Sequence, residues 1–271
     1  MVATTASVLA PDVHAGTVAV ITGGGTGIGR ATARAFVRTG ASVAICGRRP
    51  EPLAETVAEL GADACLATTC DIREPEQVAA FLDEVGRRFG RVDHLVNNAG
   101  GQFAAPLADI SPKGMRAVHR LNVDATWMVT HEVATRFMLP ARRGFIAFLG
   151  FSPRRGIPMM VHSSMARSAL ETLASGIALE WSRYGVRAVC VAAGAIRTEG
   201  IEGYGGPELL DAYATQIPMR RLGDPDEVAE TIVFLASPGG GYITGTTVVI
   251  DGGSDAWGAG EVPPPLEPPG A

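Results

Sequence analysis

The sequence predicts a single doubly wound α/β domain, a seven-stranded parallel sheet with helices on both faces, and three observations carry that expectation. Seven short runs rich in β-branched residues alternate with six longer amphipathic stretches along the 271 residues. Runs such as VAVIT and AVCVAA are apolar throughout, as strands of a parallel sheet covered on both faces must be. A glycine-rich loop follows the first run and leads straight into a helical pattern.

In chain order, the first strand falls at 17–22 and a helix at 27–39. A strand at 42–46 and a helix at 51–60 come next, then a strand at 64–69 and a helix at 75–89. The short run at 94–97 is the fourth strand, followed by one long helical stretch over 111–138. The apolar run at 145–150 precedes a helix at 162–184, and 186–192 precedes a helix at 225–236. The run at 246–250 is the seventh strand. Residues 1–14 read as an N-terminal extension, 15–257 as the domain and 258–271, with PPPLEPP, as an extended Pro-rich tail. The stretch 199–222, with Gly203, Gly205 and Gly206 around Tyr204, reads as a lid over a substrate site.

Composition narrows the function. At 46% hydrophobic and 19% charged the chain is ordinarily globular, and a net charge of −5 argues against a nucleic-acid surface, which needs clustered basic residues. No apolar run reaches the roughly 20 residues of a membrane helix. The N-terminus MVATTASVLAPDVHAG lacks the basic start of a secretory signal, so the expectation is a cytoplasmic protein without a membrane anchor. Cys46, Cys65, Cys70 and Cys190 show no metal-ligand spacing and read as buried thiols in a reducing compartment; no metal site is expected.

The segment Thr22-Gly23-Gly24-Gly25-Thr26-Gly27-Ile28-Gly29 lies between an apolar strand and a helix. Its glycines permit a tight turn and let the backbone approach a pyrophosphate held on the N–H groups of the helix start. In that context Gly23, Thr26, Gly27, Ile28 and Gly29 point to a dinucleotide site. The second strand ends in Cys46-Gly47-Arg48-Arg49, with no carboxylate before Glu51. An acid there would hold a ribose 2′-hydroxyl, whereas the Arg48 guanidinium suits a 2′-phosphate. NADP(H) is therefore favoured over NAD(H), with Arg49 a solvated neighbour.

TGGGTGIG, Cys70-Asp71-Ile72, NNAG at 97–100, Asn122 in LNVDAT, Ala193-Gly194-Ala195-Ile196-Arg197-Thr198 and Asp251-Gly252-Gly253 occur in the order and spacing of one family. Over about residues 15–255 the chain resembles the short-chain dehydrogenase/reductase superfamily, whose fold is Rossmann-like. The resemblance implies that Asp71 and Ile72 flank the adenine, that Asn98, Ala99 and Gly100 line the cofactor ribose, and that Gly194, Ile196 and Thr198 meet the nicotinamide and pyrophosphate. It also implies a homotetramer or homodimer packed through the helices at 111–138 and 162–184.

The chain departs from that family where the proton chemistry resides. The family's Tyr-x-x-x-Lys becomes Ser163 and Arg167, its Ser falls near Gly150 or Phe151 with Ser152 adjacent, and only Asn122 remains. A serine hydroxyl has no acid function near neutrality, and arginine keeps its proton while offering a fixed charge and hydrogen bonds. Ser163 and Arg167 share a helix face at i and i+4; Ser163 also suits a helix N-cap, and Arg167 a salt bridge. The set is poor for alcohol–ketone chemistry. It is better suited to reducing a double bond conjugated to a thioester, where neutral donors stabilise an enolate and water supplies the last proton.

Val161-His162-Ser163-Ser164-Met165-Ala166-Arg167 resembles the helix start of peroxisomal-type trans-2-enoyl-CoA reductases, and Gly100-Gly101-Gln102-Phe103 resembles their Gly-Gly-Gln-Phe and the Gly-Asn-Phe of 2,4-dienoyl-CoA reductases. The likeness implies that Gln102 binds the thioester oxygen beside Ser163, with Arg167 on the nicotinamide ribose and Asn122 positioning. The helper Tyr of the dienoyl enzymes would fall near Ser152. Phe103, Ser152, His162 and Tyr204 are candidate substrate residues, and Arg154 and Arg155 could meet phosphates of an acyl-CoA. Two alternatives stay open: a carbonyl reductase or alcohol dehydrogenase whose acid is Tyr204 or His162, and a catalytically silent cofactor-binding protein with a regulatory or assembly role.

Overall fold

Successive residues of each strand feed opposite faces of the sheet, and two separate cores result. Ala19, Ile21, Val43, Ile45, Phe145 and Ala147 belong to one, while Val20, Ala44, Cys46, Ile146 and Phe148 belong to the other. Both faces of the inner strands are therefore apolar, which is why their sequences show no polar alternation; the edge strands Cys65–Thr69 and Thr246–Ile250 are only partly buried. The computed structural model describes residues 9–154, 156–199 and 207–257, with side chains for all of these except 207–209. The elements are β1 Val18–Thr22, α1 Gly27–Arg38, β2 Ser42–Gly47, α2 Pro50–Leu60, β3 Cys65–Thr69, α3 Pro75–Phe89, β4 His94–Asn97, α4 Pro112–His119, α5 Ala125–Val133, α6 Leu139–Ala141, β5 Gly144–Phe151, α7 Val161–Trp181, β6 Val186–Ala193, α8 Pro207–Thr215, α9 Pro225–Ala236, β7 Thr246–Ile250 and α10 Ser254–Trp257.

The seven strands are all parallel in the order β3-β2-β1-β4-β5-β6-β7. Residues of α1, α2 and α9 fill the first core and residues of α3, α5 and α7 the second, giving the Rossmann-like three-layer arrangement in one domain. Among the described residues no helix is long and apolar enough to cross a membrane.

Every predicted strand is present, with ends moved by at most one residue. The long stretch 111–138 is different: it breaks into α4 and α5, separated by a π turn over Arg120–Asp124 and followed by another over Ala134–Met138. At the first turn the Asn122 side chain donates to the Val118 carbonyl at 2.8 Å, a side-chain bond that competes with the regular ladder. The stretch 162–184 gives α7 and a separate 3₁₀ turn, Ser182–Tyr184, ended by Gly185 at φ 76°. Helix α8 lies within the expected lid and was not foreseen.

Candidate active site

Strand order reverses between β1 and β4, so the chain leaves these neighbours in opposite directions and opens a crevice at their carboxyl ends. Asn98 binds its two lips together. Its Nδ2 donates to the carbonyls of Thr22 at 2.9 Å and Gly23 at 3.2 Å, and the Thr22 hydroxyl accepts from the N–H groups of Asn98 and Ala99. A Cβ on Gly29 would stand 2.2 Å from the Gly23 carbonyl oxygen, so only glycine allows α1 to start so close to the turn. Thr26 makes no side-chain cap and the first turn of α1 holds no acidic residue, leaving its N–H groups for an anion. Thr198 closes over this turn, with its Cγ2 3.1 Å from where a Gly27 Cβ would sit.

On one side of the turn lies a cavity of about 200 Å³ lined by Gly23, Thr26, Arg48, Asp71, Ile72, Ala99 and Gly100. Arg73 grips the Asp71 carboxylate and, with the Arg48 charge a smaller contributor, holds its pKa at about 2. Arg48 is exposed at the rim. Arg49 is not simply solvated: its guanidinium stands 3.9 Å from Glu199, a loose pair between the loops after β2 and β6.

On the other side a cavity of about 780 Å³ runs past Ile28, Asn98, Gly100, Gln102, Ser152, Arg167, Gly194, Ile196 and Thr198. Arg167 reaches it from α7. It is partly buried, donates to the Leu149 carbonyl at 2.6 Å, and keeps Nε without a hydrogen-bond partner. Burial pulls its pKa down to about 10, so it remains a cation at neutral pH and is not a surface salt-bridge residue. A Cβ on Gly100 would fall 2.1 Å from Arg167 Nη2 and 2.7 Å from Asn122 Oδ1, so glycine there lets the loop lie against both side chains. Asn122, fully buried, donates from Nδ2 to the Gly101 carbonyl at 2.8 Å and accepts from the Gly101 N–H at 3.3 Å.

Ser163 is neither a cap nor a wall of the cavity. The residue flanking α7 is Met160, and Ser163, with no exposed surface, donates to Gln102 Oε1 at 2.6 Å. It stands behind Gln102, which does line the cavity. The structure also moves other expected substrate residues. His162, on the first turn of α7, is buried and packs on Phe103 of the loop after β4, with ring centroids 4.3 Å apart; neither lines the cavity, and the Phe103 ring lies against Gly114 of α4. Burial lowers the His162 pKa, with the Phe103 backbone pulling the other way. Ser152 lines the cavity, but its hydroxyl is bound by Asp251. Arg154 is held by Asp255 at 3.1 Å and Glu171 at 3.3 Å, which leaves no simple phosphate contact. Tyr204 and Arg155 lie outside the described residues.

Sequence reasoning missed Tyr213. It lines the larger cavity from α8 together with Leu210, and the i, i+3 spacing of those two residues was the available signal. It also missed that Asp251, quoted only as part of a motif, is the group that fixes Ser152.

The crevice fits a nicotinamide dinucleotide: an uncapped helix start, a glycine turn and a cavity on each side of it. Comparisons with known proteins agree. Residues 23–255 match the family described as enoyl-(acyl carrier protein) reductase. A peroxisomal 2,4-dienoyl-CoA reductase of Danio rerio is 33% identical over 92% of this chain and 84% of its own length. A probable 2,4-dienoyl-CoA reductase of Bacillus subtilis is 32% identical over 86% of this chain and 94% of its own. Among solved structures, a citronellol catabolism dehydrogenase of Pseudomonas aeruginosa superposes with a TM-score of 0.81 at 37% identity, covering 91% of this chain and 98% of that one. A levodione reductase gives 0.85 at 29%, covering 89% and 98%. The chain thus belongs to the short-chain dehydrogenase/reductase family and is a nicotinamide-dependent oxidoreductase of that family.

Proposed function

We propose that the chain reduces the carbon–carbon double bond of an α,β-unsaturated acyl thioester, most simply an acyl-CoA, with NADPH. The observation that carries this is the Ser163–Gln102 hydrogen bond at 2.6 Å. The helix position of the family's acidic phenol is spent on orienting an amide in the wall of the cavity. A bound NADPH would supply a hydride to the β-carbon of the substrate. Negative charge then collects on the thioester oxygen, and the role assigned to Gln102 is to donate to that oxygen from Nε2, the end of the amide not facing Ser163. Arg167 holds the ribose side of the cavity and adds a fixed positive charge. Asn122 keeps the Gly101–Gln102 backbone in place, and water delivers the last proton. The names of the dienoyl-CoA reductase relatives support the substrate class, and Arg48 at the rim of the smaller cavity supports the 2′-phosphate.

The test is NADPH consumption by purified protein given trans-2-enoyl-CoA or 2,4-dienoyl-CoA thioesters. Turnover of secondary alcohols or ketones in their place would reject the reading. One observation favours a carbonyl reductase as the second reading: Tyr213 brings a phenol to the cavity, and two structural relatives are named as a dehydrogenase and a levodione reductase.

We also propose a homotetramer or homodimer through α5 and α7. Trp127, Met165 and Leu179 are exposed there, beside an apolar groove lined by Trp127, Met128, Ala169 and Leu173. Light scattering reads the state directly. A cytoplasmic location is proposed from the sequence. The fish relative is named as peroxisomal, and cell fractionation decides between the two.

A further inference from the structure

The four cysteines fall into two kinds. Cys65 and Cys190 are separately buried, and burial pushes them up to about 11 and about 12, which makes both inert thiols at neutral pH. Cys46 and Cys70 form a pair. Cys46 in β2 stands opposite Thr68 in β3, and Cys70, two residues further on, faces the same core. The Cys70 N–H donates to the carbonyl of Gly47 at 2.9 Å, so the two main chains are hydrogen-bonded beside the thiols, and both side chains lie in one core cluster. Both residues line the smaller cavity. They are 0% and 1% exposed, so that cavity is the route by which a small reagent reaches them.

We propose that Cys46 and Cys70 are an oxidisable dithiol in the floor of the adenosine pocket, closed to a disulfide by a hydroperoxide when the cofactor is absent and shielded when it is bound. The shielding rests on the dinucleotide reading of that pocket; the dithiol itself does not. Cys70 is the attacking sulfur. The neighbouring Cys46 thiol lowers its pKa, against burial and the Asp71 carboxylate, while Cys46 is held well above its ordinary value. The neighbouring charges are Asp71, Arg48 and Arg73. The Cys70 sulfur takes one peroxide oxygen, the O–O bond breaks and water leaves, giving a sulfenic acid. The Cys46 sulfur then displaces that oxygen as a second water. Two thiols lose two electrons and two protons, and one hydrogen peroxide becomes two waters.

The bridge acts on cofactor binding through the backbone. The Cys46 carbonyl accepts from the N–H groups of Gly23 at 2.7 Å and Gly24 at 3.3 Å, so it anchors the glycine turn, and Cys70 directly precedes Asp71 and Ile72. Drawing the two sulfurs into a covalent bond shifts both sides of the pocket together.

The experiment treats the full-length chain with hydrogen peroxide, with and without saturating NADP, then alkylates free thiols and maps peptides by mass. NADPH binding is titrated by fluorescence before and after. The expected result is a Cys46–Cys70 peptide only in the cofactor-free sample, with an NADPH Kd raised about tenfold or more and restored by dithiothreitol. Cys46→Ser and Cys70→Ser proteins should each show no bridge and no reversible rise. A bridge that forms equally in the NADP-saturated protein, or no bridge in the wild type, overturns the proposal. Reduced protein that fails to bind NADP(H) overturns the pocket's assignment instead, and the peptide map still judges the dithiol.

Discussion

Ser163 reaches the cavity only through Gln102: its hydroxyl is buried and bonded to Gln102 Oε1 at 2.6 Å, while Gln102 is the residue in the wall. This makes the two residues one unit, and a double-mutant cycle can test it. Ser163→Ala should lower kcat/KM about tenfold, the worth of one neutral hydrogen bond. Gln102→Ala should cost about a hundredfold, as for loss of an oxyanion donor. The double variant should be no worse than Gln102→Ala alone. Additive losses would show that Ser163 touches substrate itself.

Asn122 holds the same unit from the other side. Its amide makes three hydrogen bonds, to Val118 and both backbone groups of Gly101, with no exposed surface. Asn122→Ala leaves those groups unpaired in the interior, and the expected cost is about 2–3 kcal/mol, measured as a lower urea midpoint with unchanged slope. Because Gly101 adjoins Gln102, kcat should fall together with stability. Full activity at reduced stability would limit Asn122 to the fold.

The fold was legible because its signals are local. The inner strands are apolar on both faces and the stretches between strands are amphipathic, so order and type follow from periodicity. The glycine turn was legible because positions 23 and 29 leave no room for a Cβ. Other features depend on distant partners. The π turn at Arg120–Asp124 is tied to Asn122 finding Gly101, and no helix period encodes that contact. His162 is a candidate substrate residue by its motif, but adjacent residues of a helix point about 100° apart, and this one turns onto Phe103. Tyr213 was hidden because it lies beyond the Gly203–Gly206 cluster, on a helix that faces a cavity and not a core.

Arg48 gives a prediction about cofactor choice. It stands exposed at the rim of the smaller cavity with no acid at the end of β2. Arg48→Ala should raise KM for NADPH roughly ten- to a hundredfold, the range for a hydrogen bond to a charged group, and leave KM for NADH nearly unchanged. The wild-type preference should also weaken with salt, since an exposed charge pair is screened. Equal effects on both cofactors would give Arg48 no part in reading the 2′-phosphate.

The pH dependence of stability is set at the opposite end of the sheet. His94 is buried among His14, Phe36 and Phe145, stacked on Phe36 at 5.2 Å, and neither of its ring nitrogens has a partner. Desolvation lowers its pKa from 6.5 to about 3, with the neighbouring His14 adding to the effect. The neutral ring is therefore the folded form, and the unfolded chain binds more protons between those values. Its contribution to stability is present above pH 6.5 and is lost as pH falls toward 3. Asp71, whose pKa is lowered from 3.8 to about 2, and Glu227, whose carboxyl the Arg221 hydrogen bond holds below its ordinary 4.5, act at more acid pH, so the interval from 6.5 down to 4.5 isolates the histidines. His94→Phe should flatten the fall of Tm across this interval, leaving the slope due to His14 and His162, whose pKa values burial also lowers. It should also raise Tm at neutral pH, because two unpaired buried nitrogens give way to carbon in an aromatic site. An unchanged slope in the variant would place the acid sensitivity elsewhere in the molecule.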